Sequence, residues 1–429
     1  MQIKIKNFGP IKEFGLDLKK DFVVIFGKNN IGKSYAVSVV YLVLKHLLDM
    51  EADSMTQKEI QTNLKKCLIE QKISTEEIKE IFAPIVDDFR EILEESFYNT
   101  FGKLDEIISR FSTEKPSVTV IKNRGELTLE VQEKRLLLKT FLPLTDNVVA
   151  LNTFVEERFE EERYLGEPLF FLYDEYIGKA KRETSLFFCP ASRTGLYQGL
   201  NAFSQIMVEL SKSRRFVTKK FELPHISEPV SDYFLGLSNI QPRRHKKNNA
   251  ILNIVHEIEQ TIIKGEVIFD ETTQKIFYKP QEMDLVLDIS FTSSMVSELS
   301  PIVCYLKYVV AFTDSKSIIF IEEPEAHLHP ETQVQLMAIF AKLVHANVKI
   351  IMTSHSDYMF NKMNNLILEG KIDIASTQAI VFKETPAGSI AKEIPTDSLG
   401  IDDDNFMEIA EKLFNEKLEL VENLNDGAS

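Results

Sequence analysis

Three cysteines occur in the chain, Cys67, Cys189 and Cys304, far apart and never as a C-x-x-C pair. That scarcity argues against a disulfide framework and against a structural zinc site, and it predicts a reducing compartment. Positive charge is outnumbered too: 50 Lys and Arg face 65 Asp and Glu, a formal net charge of −15. A molecule of that sign repels nucleic acid and acidic membranes as a whole, so contact with either needs a local basic patch. No apolar run approaches the length of a membrane span. The N-terminus opens as an alternating strand, Met1-Gln2-Ile3-Lys4-Ile5-Lys6, and not as a signal peptide. Internal repeats, low-complexity tracts and long heptad runs are missing, which argues against an extended coiled-coil arm. The expectation is a soluble, cytoplasmic protein with no membrane partner.

What remains is an ordinary globular composition, 44% hydrophobic and 27% charged over 429 residues, enough for two or three domain-sized units. Its most informative stretch is Asp21 to Val40. The apolar run Phe22-Val23-Val24-Ile25-Phe26 enters Gly27-Lys28-Asn29-Asn30-Ile31-Gly32-Lys33-Ser34, and a helical pattern leaves it. This is G-x-x-x-x-G-K-S in the strand–loop–helix context a P-loop requires. Glycine at 27 and 32 lets successive N–H groups converge on phosphate oxygens, and the helix N-terminus adds unpaired donors. Lys33 supplies charge for the β- and γ-phosphates, and the Ser34 hydroxyl can ligate Mg²⁺. The loop through Tyr35 is therefore the candidate ATP contact.

A P-loop by itself says only that nucleotide binds. Its companion is Ile318-Ile319-Phe320-Ile321-Glu322-Glu323-Pro324, apolar β residues ending in two carboxylates, a Walker B arrangement. Glu322 is the candidate Mg²⁺ ligand and Glu323 the general base that polarises the attacking water. An acidic helix start is the plainer reading of such a strand end, and the P-loop elsewhere in the chain outweighs it. His355 ends the next strand in Thr353-Ser354-His355-Ser356, one strand–helix–strand unit later, where a γ-phosphate sensor would sit.

Between these motifs the pattern predicts an N-terminal hairpin around Gly9-Pro10 and a helix to about Leu48. Next come a capping box at Ser74 to Glu77, a second helix opened by Pro84, and strands from Val118 to Leu138 about Asn123-Arg124-Gly125. Residues 150–182 read as helical, with a solvated acidic run at Glu156 to Glu162. Strand-like stretches occupy about 266–279 and 284–291, and the serine-rich loop Thr292 to Ser300 precedes an apolar helix starting near Pro301. The last helix carries Phe406, Ile409, Leu413, Leu418 and Val421. The expected divisions are 1–48, the P-loop half of a head; 49–182, a mainly helical lobe; 183–290, a mixed insertion; 291–400, the second half of the head; and 401–429, an amphipathic helix.

Lys33 and Glu323 stand 290 positions apart. With that separation the motifs resemble the ABC-type ATPases of the SMC, Rad50, RecF and OLD group. The phrase Glu322-Glu323-Pro324-Glu325-Ala326-His327-Leu328-His329-Pro330 is similar to that of the OLD-like and AAA15/AAA21 branch, as is Pro190-Ala191-Ser192-Arg193. The resemblance implies an α/β fold, a P-loop NTPase ABC-type head with a mixed central sheet and an antiparallel β-subdomain, carrying a largely helical insertion. It adds Arg193 to the nucleotide-binding candidates. It also implies heads that pair around two ATPs, with a serine loop from one touching the γ-phosphate held by the other. Ser293 and Ser294 are the candidates here, although Met295 and Val296 replace the glycines of the L-S-G-G-[QE] pattern. His329 stands where that group usually has aspartate.

OLD-like nucleases add a metal-binding acidic domain. Here about 75 residues follow His355, with Asp402-Asp403-Asp404 as their one acidic cluster, and the histidines form no HNH-like group. The expectation is an ATPase without its own nuclease, acting as a homodimer or higher homo-oligomer on a separate effector, nuclease-like or toxin-like, as in bacterial anti-phage systems. Nucleic acid is a further partner that the cluster Arg243 to Lys247 could contact through phosphates. Two other functions fit the same motifs: a RecF-like maintenance ATPase that binds DNA directly, and a nucleotide-gated scaffold with negligible turnover.

Overall fold

The computed structural model describes residues 1–49, 75–104, 107, 114–122, 125–132, 134–143, 185–199, 226–238, 240, 248–313, 316–397, 400–401 and 415–417. The first elements are strands β1 (Gln2–Phe8), β2 (Ile11–Asp17) and β3 (Phe22–Phe26), then helix α1 (Lys33–Asp49). Helix α2 (Thr75–Phe101) and strands β4 (Ser117–Lys122), β5 (Gly125–Gln132) and β6 (Arg135–Pro143) follow. Strand β7 (Ser185–Cys189), helices α3 (Glu228–Ser238) and α4 (Asn249–Glu257), and strands β8 (Gly265–Asp270), β9 (Lys275–Pro280) and β10 (Leu287–Asp288) come next. The last third is α5 (Ser294–Tyr308), β11 (Ser317–Glu322), α6 (Pro330–His345), β12 (Val348–Ser354), α7 (Asp357–Leu368), β13 (Thr377–Thr385) and β14 (Gly388–Ile394).

Eleven of these strands form one mixed sheet in the order β6-β5-β4-β1-β2-β14-β13-β3-β12-β11-β7. From β13 to β7 neighbours run parallel, as strands buried on both faces do. Their residues alternate between two cores: Phe22, Val24, Phe26, Ile319 and Ile321 face α4 to α7, while Val23, Ile25, Ile318 and Phe320 face α1 and α2. From β2 to β6 the pairs are antiparallel. The fold is the α/β head expected, a mixed central sheet with an antiparallel wing.

The register decides where chemistry can gather. Phe26 pairs with Ser354 on one side and Val381 on the other, Glu322 pairs with Thr353, and Ile321 pairs with Cys189. The C-terminal ends of β3, β12, β11 and β7 therefore lie along one edge, where open α/β sheets hold their ligands.

Several expectations change. The described part of 49–182 is one helix and a three-stranded meander, and β4 is hydrogen-bonded to β1, so these strands extend the central sheet. Helix α2 runs unbroken through Pro84. Likewise α5 starts at Ser294 with Pro301 inside it. One proline costs a helix about 3 kcal/mol, and each of Leu299, Ile302, Val303 and Leu306, all buried, returns roughly 1.5–3 kcal/mol. The stretch 266–279 is the β8–β9 hairpin, whereas 284–291 keeps a two-residue strand before a 3₁₀ turn. Residues Ser294–Phe312 are long and apolar enough to cross a membrane by composition, yet 72% buried inside the head. The helix 150–182, the acidic run, Cys67, the cluster Arg243 to Lys247, Asp402 to Asp404 and most of the final helix lie outside the described residues.

Candidate nucleotide site

The loop after β3 turns on two glycines. Gly27 has φ 148° and Gly32 φ 101°, and a Cβ at 32 would stand 2.9 Å from both Ile11 and Pro10 of the N-terminal hairpin. No other residue type fits those angles and that space. The loop is pressed onto the hairpin, Ile31 is buried beside it, and Lys28, Asn29 and Asn30 face outward. Tyr35, one turn into α1, stacks on Phe101 of α2 with ring centroids 5.1 Å apart.

Lys33 folds back over this loop. Its Nζ donates to Gly27 O (2.9 Å), Lys28 O (2.7 Å) and Nδ1 of His355 (3.3 Å). An ammonium has three protons and no acceptor, so Nδ1 must accept and the imidazole proton sits on Nε2. That nitrogen is 3.0 Å from Glu323 Oε1 and donates to it. Burial lowers the Lys33 pKa to about 8, against the raising pull of Glu323, Glu325 and Glu322. The hydrogen bond from His355 holds Glu323 below the usual carboxylate range against the raising effect of burial, and the Lys33 and Arg193 charges add to it. Glu323 is thus ionised at neutral pH, as a general base requires.

Glu322, on the other side of the β11 end, is buried. Desolvation pushes its pKa up, countered by hydrogen bonding from the Ser34 hydroxyl and the Ala191 amide. Its Oε1 has no hydrogen-bond partner. A buried carboxylate oxygen left so costs free energy that a hard cation on Glu322 and the Ser34 hydroxyl would recover, and both are oxygen ligands of the kind Mg²⁺ takes. The residues present fit Mg²⁺.

The backbone at this corner is strained. Glu323 has φ 44°, a left-handed conformation uncommon for a residue with a side chain. Its N–H donates to Thr353 O (3.1 Å) and lies 3.3 Å from Thr353 Oγ1. Glu325 accepts from Ser354 Oγ (2.8 Å) and from the His355 amide (2.5 Å), so this third carboxylate of the phrase fixes the strand end that carries His355. Sequence reading passed over Glu325 and Thr353, and the E-E-P-E spacing was the available signal for the first. His329 caps α6, its Nδ1 accepting from Glu331 N at 3.4 Å.

The structure therefore brings Lys33, Glu323 and His355 into direct contact and sets Ser34 against Glu322. It leaves Ser293 and Ser294 apart. Both are exposed, at the start of α5, and Ser293 Oγ caps that helix by accepting from Val296 N (3.5 Å). Arg193 is buried, its side chain 0% exposed and all three side-chain nitrogens bonded to protein.

The sequence matches the family model described as AAA ATPase domain over residues 1–186 and 198–360. No curated protein matches it. Among solved structures it is similar to the SmcHead bound to the C-winged helix domain of ScpA, at 11% identity and TM-score 0.43, over 92% of this chain and 97% of that one. It is also similar to the SMC head domain from Thermotoga maritima, at 10% identity and TM-score 0.39, over 92% and 98%. A third is the Smc head domain with an extended coiled coil bound to the C-terminal domain of ScpA derived from Pyrococcus furiosus. There the identity is 12% and the TM-score 0.42, over 97% and 98%.

Proposed function

The chain belongs to the AAA ATPase domain family, and from that premise we propose that it is a Mg²⁺-dependent ATP hydrolase whose heads pair around ATP and whose nucleotide state switches a separate effector protein. The contact chain Lys33–His355–Glu323 carries the reading, because it sets the phosphate-binding lysine and the base on the two nitrogens of one ring. A γ-phosphate accepted by Lys33 lies within reach of His355. Glu323 takes the proton of the water that attacks that phosphate, and ADP leaves with the β-phosphate oxygen. Ser34 and Glu322 would hold Mg²⁺, which when bound spreads the charge of the β- and γ-phosphate oxygens.

Pairing of heads is supported by the exposed serines at the N-terminus of α5, where short hydroxyl side chains and the positive end of the helix dipole suit a phosphate presented by a facing head. The Glu322 to Pro330 phrase supports an anti-phage setting in the cytoplasm, with a nuclease-like or toxin-like effector on another chain. Light scattering of Glu323→Gln with and without ATP and Mg²⁺ tests the pairing. A monomer-to-dimer step on adding both is expected. A mass unchanged by ATP would replace the paired-head switch with a pre-assembled scaffold.

A further inference from the structure

The side chain most heavily engaged near the site lies beneath it. Arg193 Nε donates to Glu298 O (3.0 Å) and lies 3.1 Å from Glu298 Oε2. Nη1 donates to Pro190 O (3.0 Å) and Glu322 O (2.8 Å), and Nη2 donates to Glu323 O (3.3 Å). Glu298, 1% exposed in α5, accepts from the amides of Arg193 and Thr194, both at 3.1 Å. Thr194 Oγ1 donates to Ser297 Oγ (2.9 Å), and that hydroxyl bonds the carbonyls of Ser293 (3.1 Å) and Ser294 (3.2 Å). One guanidinium therefore ties the backbone of both Walker B glutamates to the helix that begins with the exposed serines.

The charge–charge attraction by itself adds little stability. Taking two charges out of water offsets most of their attraction, and apolar residues of like volume often serve a fold as well or better. What the pair fixes is position. Glu323 sits in a left-handed conformation that it would not hold alone. Thr353 holds its N–H and Arg193 holds its carbonyl. We infer that Arg193, oriented by Glu298, is a positioning residue for hydrolysis: it keeps Glu323 in the strained conformation that aims its carboxylate at His355, and it locks the serine helix to the same corner. The inference rests on the ATPase reading and adds to it a residue that touches neither ATP nor water.

The deciding variant is the double substitution Arg193→Met with Glu298→Met, which removes both charges and keeps the volume, measured beside Glu298→Gln and Arg193→Lys. Thermal melting, affinity for a fluorescent ATP analogue and kcat at saturating ATP are read for each. The double variant takes a partner from the carbonyls of Pro190, Glu298, Glu322 and Glu323 and from the amides of Arg193 and Thr194, so it is expected to melt below the unsubstituted chain; while folded it binds ATP within about threefold and kcat falls about tenfold or more. Arg193→Lys, which keeps the charge without the fork, is expected to recover part of kcat. A folded double variant with kcat within about twofold of the unsubstituted chain overturns the inference, as does a loss confined to ATP affinity. Lys33→Ala separates the two readings. If it hydrolyses ATP as fast as the unsubstituted chain, the ATPase reading fails and this inference falls with it.

Discussion

The Nε2 atom of His355 stands 3.0 Å from Oε1 of Glu323, and the Nδ1 atom of the same ring accepts from Lys33. The ring cannot turn without breaking one of these contacts, so Lys33 and Glu323, the proposed phosphate ligand and the proposed base, report on each other. Glu323→Gln is expected to keep ATP affinity and to lower phosphate release by about 10²- to 10³-fold, since an amide accepts no proton at neutral pH. His355→Ala leaves Glu323 ionised but loosely aimed, and about tenfold is the expected loss. Steady-state phosphate release decides it. Turnover by Glu323→Gln at the unsubstituted rate would remove the base from the mechanism.

Burial brings the Lys33 pKa down from 10.5 to about 8. The folded protein thus carries the Lys33 charge below that pH and loses it above, more than two units sooner than an exposed lysine would. A polyphosphate binds the charged form, so affinity is full below about pH 8 and weakens up to tenfold per unit above it. Titrations with a fluorescent ATP analogue between pH 6.5 and 9.5 read this directly. Affinity that stays flat to the top of that range would mean that Lys33 keeps its proton.

The parts of the site legible in the sequence are those written at single strand ends. The P-loop follows a short buried strand, Glu322-Glu323 end another and His355 follows a third, and the parallel order β3, β12, β11 sets them side by side. Arg193 was legible as a residue but not in its role, because its partners Glu298, Glu322 and Glu323 come together only when β7 joins β11. Local rules also misplaced the start of α5. Pro301 reads as a helix opener, while the cap is Ser293, whose helix is held by burial on the side facing the sheet. The strands after α2 were legible as strands, yet nothing local says that β4 pairs with β1, more than a hundred residues earlier.

Glu325 Oε1 is the acceptor for two donors, the Ser354 hydroxyl and the His355 amide. Truncating the residue leaves both donors unpaired, each at a cost of roughly 1–3 kcal/mol. Glu325→Ala is therefore expected to lower unfolding free energy by about 2–6 kcal/mol, while Glu325→Gln retains an acceptor and most of the stability. Urea unfolding of both variants measures the difference. Equal midpoints for the two would show that the acceptor at this position contributes nothing.

Far from the phosphate edge, Glu228 at the start of α3 holds α1 in place. Lys45 Nζ is 2.8 Å from its carboxylate, and His46 Nε2 is 3.3 Å from it. Desolvation pushes the Glu228 pKa up, but hydrogen bonds from His46, Lys45 and Ser96 outweigh it and bring the value from 4.5 to about 2. A carboxylate depressed on folding adds stability that is present above its unfolded pKa and lost as pH falls through the folded one. Glu228→Gln is thus expected to cost about 2–3 kcal/mol near neutrality, and the gap to the unsubstituted chain is expected to narrow steadily below about pH 4.5. Urea midpoints at pH 7, 5 and 4 supply the comparison. A gap that stays constant across those three values would assign the Glu228 contribution to packing and not to charge.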